Sequence, residues 1–479
     1  MKHPRYLKLL ASLAAPLALA TLGYSQTWVG TTSGATNLAA NWNPVAVPAN
    51  NATAIFNNNP TNVTGMNTTI TIPNVSIQFN IDTANAAAFT FNGGPIRWAS
   101  GGTLTVTSTV QQSQIFNASI LMEPRTSAAT NTINANGGGG STLTINGNYS
   151  GGLSVATLAS TLNLHGSGTG YGIFNGVISD GTNGGRTVVG RTAAPNNATW
   201  EINGANTYTG GTEYGRAGQN NGLTILGHRS ALGTGTLRLI NGSTAPTLAA
   251  NKDLSDLRGT GGANNALANA ISFNSPLGIT PLTGKTVTLT LGSNTATIND
   301  AAGVVPGLSI VAANFLPIHT VVTAVNGNQL TLSANAAANT PVPPAAATAA
   351  TINNYSASGG ALAVSGTQNL EFSGPVDLTP VYASNGTPGT VTFNITNTAS
   401  TIFSGPLRQN GGFAIGTAGT FGNVASLAKI GVGTLTLAGT NSYTGTTTVT
   451  AGTLRVSGSI AASTATPVAP DRAVVVAEG

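Results

Sequence analysis

The stretch Lys429-IGVGTLTLAGTNSYTGTTTVTAGTLR-Val456 decides the fold. Two pieces in it, Gly433-Thr-Leu-Thr-Leu437 and Gly452-Thr-Leu-Arg-Val456, alternate apolar and polar residues at a spacing of 19. In a strand, Leu435, Leu437, Leu454 and Val456 point to one side and Thr434, Thr436, Thr453 and Arg455 to the other. Between them, Asn441-Ser-Tyr-Thr-Gly445 supplies a turn and Thr446-Thr-Thr-Val449 a further short strand. One such piece cannot bury its apolar side alone, whereas a stack of them can, which is the logic of a solenoid.

Weaker copies precede it. Ser141-Thr-Leu-Thr-Ile145 and Ser160-Thr-Leu-Asn-Leu164 are again spaced by 19, and Gly102-Thr-Leu-Thr-Val106 lies 39 before Ser141. Asn203-Gly-Ala-Asn-Thr-Tyr-Thr-Gly-Gly-Thr212 repeats the Asn-x-Tyr-Thr-Gly turn and is followed by Leu223-Thr-Ile225 and Gly235-Thr-Leu-Arg-Leu239. A period of about 20 residues equals one turn of a parallel β-helix with three short strands per turn. On that period the chain is expected to form about 20 rungs and a rod of order 100 Å.

The pattern at 431–456 resembles the autotransporter-associated β-strand repeat of large secreted or surface passenger proteins of bacteria. The copy at 203–239 is degenerate, with an insertion near Glu213–Asn221, and Thr27-Trp-Val-Gly30 with Asn41-Trp42 is similar to the start of many such proteins. The resemblance covers roughly a fifth of the chain. It implies an exported, right-handed parallel β-helix, and it brings no catalytic residues with it.

Composition agrees with an all-β reading. Charged residues make up 6% of the chain, against roughly 25% in ordinary globular domains. Thr and Val favour strands, Gly and Asn serve turns, and helix formers are scarce. There is no cysteine, so disulfides, thiolate metal sites, thiol nucleophiles and lipoprotein acylation all drop out. The formal charge is +5, but Lys2, Arg5 and Lys8 stand in a secretory leader whose apolar run is Leu9–Leu22. Ala18-Leu-Ala20 and Gly23-Tyr-Ser25 are both plausible cleavage motifs. The remaining charges form no basic run, so nucleic-acid or anionic-membrane binding is not indicated. Past the leader, no segment is long and apolar enough for a membrane-spanning helix.

The expected organisation is a signal peptide at 1–26, an N-terminal cap and first rungs at 27–100, β-helix repeats at 101–270, an inserted β-rich module at 271–352 closed by a Pro/Ala linker, and β-helix repeats again at 353–479. Within the insert, Lys285–Leu291, Ala296–Ile298, Thr320–Gly327 and Gln329–Ser333 read as strands joined by Asn-Gly and Gly-rich turns. Ala473-Val-Val-Val-Ala477 reads as one more strand, so the chain is expected to stop in mid-pattern.

A catalytic β-helix needs converging carboxylates or a carboxylate/basic groove. Lys252, Asp253, Asp256 and Arg258 form the densest charge cluster, a conceivable Ca²⁺ site that reads better as a solvated turn. Glu201 and Glu213 flank the 206–212 turn and could face each other across a rung; a pair of surface carboxylates is the plainer reading. Glu123 and Arg125 suggest a local ion pair. His3, His165, His228 and His319 share no metal-ligand spacing. Gly137–Gly140 lacks the Gly-Lys-Ser/Thr of a phosphate loop. Trp28, Trp42, Trp98 and Trp200, with Tyr171, Tyr208 and Tyr443, could stack sugars but fit cap and core packing better. The insert offers only Phe273 and Phe315 as aromatics.

The expectation is therefore a non-catalytic structural or adhesin-like passenger with no cofactor and no metal, meeting extracellular polysaccharide, matrix or other cells. A carbohydrate-active β-helix enzyme and a sugar-binding module are the alternatives.

Overall fold

The structure is a computed structural model that describes residues 25–30, 36–48, 53–56, 66–67, 76–79, 87–98, 101–123, 127–152, 159–181, 185–191, 197–214, 222–240, 245–251, 266–274, 282, 284–304, 309–312, 315–316, 320, 322–337, 348–353, 360–378, 389–408, 425–443, 445–460 and 474–476. Residues 1–24, where a leader is expected, and the Lys252–Arg258 cluster lie outside these residues.

The described chain is all β apart from one 3₁₀ turn at Ala39–Asn41, and it stacks as a parallel β-helix. Thr103–Val106, Thr142–Ile145 and Thr434–Leu437 each place Thr at the partly exposed positions and Leu, Ile or Val at the buried ones. Alternation at period two therefore decides which side of each strand faces the core. A typical rung runs Thr130–Ala135, Thr142–Ile145, Tyr149–Ser150 and then climbs to Ala159–His165, Tyr171–Phe174, Ile178–Ser179. Every one of these strands pairs in parallel with its counterpart one rung away.

Two long sheets of 13 strands each form two faces of the stack. A four-stranded sheet (96–98, 120–122, 149–150, 178–179) completes the lower rungs, and a five-stranded sheet (266–267, 370–372, 400–403, 434–437, 453–456) the upper ones. The first 13-stranded sheet includes Thr103–Val106, Thr130–Ala135 and Thr212–Tyr214; the second includes Thr142–Ile145, Thr199–Ile202 and Thr447–Val449.

The rung is longer than the sequence spacing suggests. Thr132 pairs with Thr103 and Thr142 with Tyr171, a step of 29 in each case, and Thr130 pairs with Thr161, a step of 31. Only near the 429–456 stretch does a step of 19 appear, between Leu435 and Leu454. The look-alike pieces at 141–145 and 160–164 sit on different sheets and do not stack, nor do 102–106 and 141–145. Strands on neighbouring faces share the same Thr/Leu alternation, so the nearest similar strand in sequence belongs to another face. The expected 20 rungs shrink accordingly: 13 strands per long sheet at ~4.8 Å extend roughly 60 Å.

At the N-terminal end, Gln26–Trp28 pairs antiparallel with Trp42–Asn43 and parallel with Thr53–Ile55. Trp28, Trp42 and Phe56 close that end in a ring cluster, with Trp28 and Trp42 edge-on at 5.1 Å. The cluster continues inward through Phe89 and Phe91 to Phe116, which stacks on Phe91 at 4.2 Å. All four tryptophans are at most 1% exposed, so they serve packing.

The insert departs from this pattern. Its five-stranded sheet is antiparallel, in the order Val322–Asn326, Gln329–Leu332, Thr295–Ile298, Thr286–Leu289, Thr348–Ala349, and Ser309–Val311 pairs antiparallel with Thr351–Asn353. Gly327, with φ of 55°, turns the Asn326–Gln329 hairpin. Val287, Leu289, Ile298, Val322, Leu330 and Ile352 form a core separate from that of the solenoid. Ile271–Asn274, read from sequence as the start of the insert, is a solenoid strand paired with Leu237–Ile240 and Val376–Asp377. Phe273 accordingly packs in the solenoid, edge-on to Phe393 at 5.8 Å. The second long sheet bridges the insertion, with Thr247–Ala250 paired directly to Ala361–Gly366.

Candidate functional site

Glu201 and Glu213 do not face each other. Glu201 stands on the second long sheet and Glu213 on the first. Tyr171 Oη donates to Glu201 Oε2 at 3.0 Å and Asn203 Nδ2 to Glu201 Oε1 at 2.6 Å. Burial, with the hydrogen bond and charge of Glu201, pushes the Tyr171 phenol up to about 12. Glu213 lies 3.8 Å from Arg238, whose pKa burial lowers despite that carboxylate. Glu123 pairs with Arg97 across a rung at 3.7 Å; Arg125 is outside the described residues.

The other described carboxylates are also engaged. Asp180 accepts from Thr187 N at 2.6 Å and from Thr209 Oγ1 at 2.7 Å, tying the ends of two strands together. Asp377 pairs with Arg408 and Asp300 with Lys285, and Glu371 accepts from Ser404 Oγ. His165 shares a hydrogen bond with Asn134 at 2.6 Å, and His228 accepts from the Ser230 amide in a turn; His319 is outside the described residues. Among the described residues, no three His, Asp or Glu side chains gather to hold a metal ion.

The Asn-x-Tyr-Thr-Gly turns build a repeated structural device. Asn206 is 1% exposed; its Oδ1 accepts from Ile178 N at 2.7 Å and its Nδ2 donates to Ala231 O at 2.8 Å, so it bridges the rungs on either side. Asn441 repeats this, accepting from Leu407 N at 3.0 Å and donating to Ser459 O at 3.0 Å. Tyr208 and Tyr443 are fully buried, and each shares a 2.6 Å hydrogen bond with the Thr next but three along the chain, Thr212 or Thr447. Gly210 and Gly445 complete the turn where the rung beneath comes close: a Cβ would lie 2.2 Å from Thr187 O or 2.3 Å from Ala425 O.

The family model of the passenger-associated-transport-repeat matches residues 197–213 and 427–456. Two short segments of the chain are thus similar to this passenger repeat. No curated protein and no solved structure matches it. The matched segments are rungs of the stack, and the side chains that make the passenger repeat recognisable are used up in holding it.

Two features beside the passenger repeats escaped the sequence reading. Each copy has a long strand at or just before its start with a buried cation near the strand's end, Arg191 closing Arg186–Arg191 at 1% exposure and Lys429 the last residue but one of Ala425–Ile430 at 0%. They occupy equivalent places, since Arg191 registers with Tyr214 and Lys429 with Val449, the third residues of the strands after each turn. Lys429 Nζ donates to three carbonyls, Ile430 O at 3.1 Å, Gly431 O at 2.6 Å and Ala451 O at 2.8 Å, while burial lowers its pKa. Arg191 Nη2 donates to Ala198 O at 2.6 Å, and burial brings its pKa down to about 10. Strand parity was the available signal: Lys429 shares the inward parity of Leu427, as Arg191 shares that of Val189.

The second feature is an external asparagine ladder. Asn117, Asn146, Asn175 and Asn203 each donate Nδ2 to the Oδ1 of the asparagine one rung before, starting from Asn92, at 2.6 to 2.8 Å. It climbs one corner of the lower rungs. Past the strand ends of the five-stranded sheet in the upper rungs stand Ser373, Ser404, Ala438 and Ser457 instead.

Proposed function

We propose that this protein is an exported, non-catalytic structural or adhesin-like passenger of the bacterial surface. It would hold its loops and the inserted β-module out from a stack of rungs toward extracellular polysaccharide, matrix or other cells. The observation that carries this reading is the use made of the passenger repeat: Asn206, Tyr208, Thr212 and their counterparts Asn441, Tyr443, Thr447 spend their polar atoms on neighbouring rungs. The described carboxylates support it too, since each is bonded within the scaffold and Glu201 and Glu213 stand on separate sheets. Fold alone does not set function, so the step to adhesion rests on the repeat.

The test is to apply the purified, leader-free chain to immobilised extracellular polysaccharides and to bacterial cells, and to assay the same polysaccharides for chain cleavage. Saturable binding without new chain ends is the expected result. Turnover of any polysaccharide, abolished by Glu201→Gln or Asp253→Asn, would reverse the reading in favour of a carbohydrate-active β-helix. Binding that vanishes when residues 282–352 are replaced by a short Gly/Ser linker would place adhesion on the insert.

A further inference from the structure

Arg191 is a cation enclosed in the solenoid with too few acceptors. Its Nη2 is satisfied by Ala198 O, but Nε and Nη1 are buried and have no hydrogen-bond partner. Two hydroxyls beside it share that condition. Tyr214, its register partner one rung on, has a fully buried and unpartnered Oη. Thr224, on the second long sheet and 0% exposed, has an unpartnered Oγ1. The charge of Arg191 reaches the Tyr214 phenol, and the Thr224 hydroxyl makes a side-chain contact with that phenol that falls short of a full hydrogen bond. Buried polar atoms of Arg191 and Tyr214, and of Tyr214 and Thr224, thus neighbour one another between two faces of the stack. Gly222 gives the guanidinium its room, since a Cβ there would lie 2.6 Å from Arg191 Nη2.

The second copy of the passenger repeat shows what a satisfied cation looks like at this position. Lys429 has three carbonyl oxygens around one ammonium. Arg191 carries five donors on the same footing and meets one carbonyl. Among the described residues, no carboxylate closes the gap. The sequence has no acid between Asp180 and Glu201 or between Glu213 and Asp253. Asp180 is taken by Thr187 and Thr209, Glu201 by Tyr171 and Asn203, and Glu213 sits beside Arg238. A charge removed from water without counter-charge or full hydrogen bonding is strongly disfavoured. Water could accept some of these hydrogen bonds but would leave the charge uncompensated.

We propose that Arg191, Tyr214 and Thr224 hold a small inorganic anion inside the solenoid, with the guanidinium supplying the charge and the two hydroxyls donating to it. The anion would be a structural ligand of this copy of the passenger repeat, in the place where the other copy uses carbonyl dipoles around Lys429. The inference stands apart from what the passenger adheres to.

The test uses the whole leader-free chain at constant ionic strength, with gluconate exchanged stepwise for chloride, bromide, sulfate or phosphate. A ligand that binds only the folded state raises its stability with concentration. We expect the melting temperature to rise by roughly 2 °C or more with the anion that fits; halide against oxyanion response tells which kind it is. Arg191→Met should abolish that rise, and Lys429→Met should leave it intact. Crystals soaked in bromide should show an anomalous peak within contact distance of the Arg191 guanidinium; this measurement decides the matter if Arg191→Met fails to fold. Melting indifferent to the anion, a rise that survives in Arg191→Met, or only ordered water beside Arg191 overturns the proposal.

Discussion

The two copies of the passenger repeat share the asparagine bridges between rungs and the Tyr–Thr hydrogen bond, and differ in where they sit. In the first, Thr199–Ile202 lies on the second long sheet and Thr212–Tyr214 on the first. In the second, the corresponding Thr434–Leu437 lies on the five-stranded sheet and Thr447–Val449 on the second long sheet. The motif has moved on by one face between copies. The next stacked strand also arrives sooner: Trp200 pairs with Thr224, a step of 24, and Leu435 with Leu454, a step of 19. The repeat thus specifies a strand, a corner and a strand with their buried Asn and Tyr. It specifies neither the face nor the length of the rung. A parallel backbone ladder accepts any strand of the right parity, so the loops between strands set how far each rung travels.

The strongest way to break this equivalence is to remove the buried tyrosines. Tyr208→Ala and Tyr443→Ala each empty a fully buried aromatic site and remove a hydrogen bond from Thr212, which keeps Leu232 O as acceptor, or from Thr447. Each should cost about 3–5 kcal/mol. Urea unfolding with amide exchange by segment would check it. Tyr208→Ala should loosen rungs on both sides, and Tyr443→Ala mainly the rungs beyond 425, because solenoid stability is carried by nearest neighbours. If one costs under a third of the other, the two turns are not the same device.

Next in size is the pair of buried cations. Lys429→Met leaves the carbonyls of Ile430, Gly431 and Ala451 without their donor, for an expected loss of about 2–3 kcal/mol. Arg191→Met, measured in gluconate, removes a cation short of acceptors and should change stability by less than about 1 kcal/mol. Equal losses would mean that Arg191 is better satisfied than its contacts show.

A smaller effect distinguishes the lower rungs from the upper. Asn146 both donates to Asn117 and accepts from Asn175 at an exposed corner. Asn146→Ala should cost about 1 kcal/mol by thermal unfolding, whereas Ser404→Ala in the upper rungs loses only a contact to partly exposed Glu371 and should cost about half that or less.

These residues also show what could be read beforehand. The alternation at 434–437 and 453–456 gave the inward Leu435 and Leu437 directly, because strand parity is local. The Asn-x-Tyr-Thr-Gly turn and the tryptophan cap were legible for the same reason. Rung length was not, because Ser141–Ile145 and Ser160–Leu164 look alike while lying on different faces. Asn117, Asn146 and Asn175, at intervals of 29, recorded the true period on the corner. Corner residues repeat once per rung, and strand residues repeat once per face. Charges were legible in another way: composition does not single out Lys429 or Arg191, and only their place in the strand alternation turns them inward.

The smallest prediction concerns pH and tests whether Glu201 is a structural acceptor. Tyr171 ordinarily titrates near 10, and in the fold it is raised to about 12, by burial first and by Glu201 second. Between those values the folded state holds a proton that the unfolded chain has released. Stability contributed by Tyr171 is therefore complete below pH 10 and is lost as pH rises toward 12. Tyr208 and Tyr214 are raised by burial too and add to the same alkaline decline. Tyr171→Phe should make the decline shallower without removing it, and should leave the melting temperature at neutral pH little changed apart from the loss of one hydrogen bond to Glu201. Glu201→Gln should flatten it in the same direction by a smaller amount, since burial remains. An alkaline slope identical in wild type, Tyr171→Phe and Glu201→Gln would mean that the phenol is not held against the carboxylate. Glu201 would then be free to serve as something other than a strut between rungs.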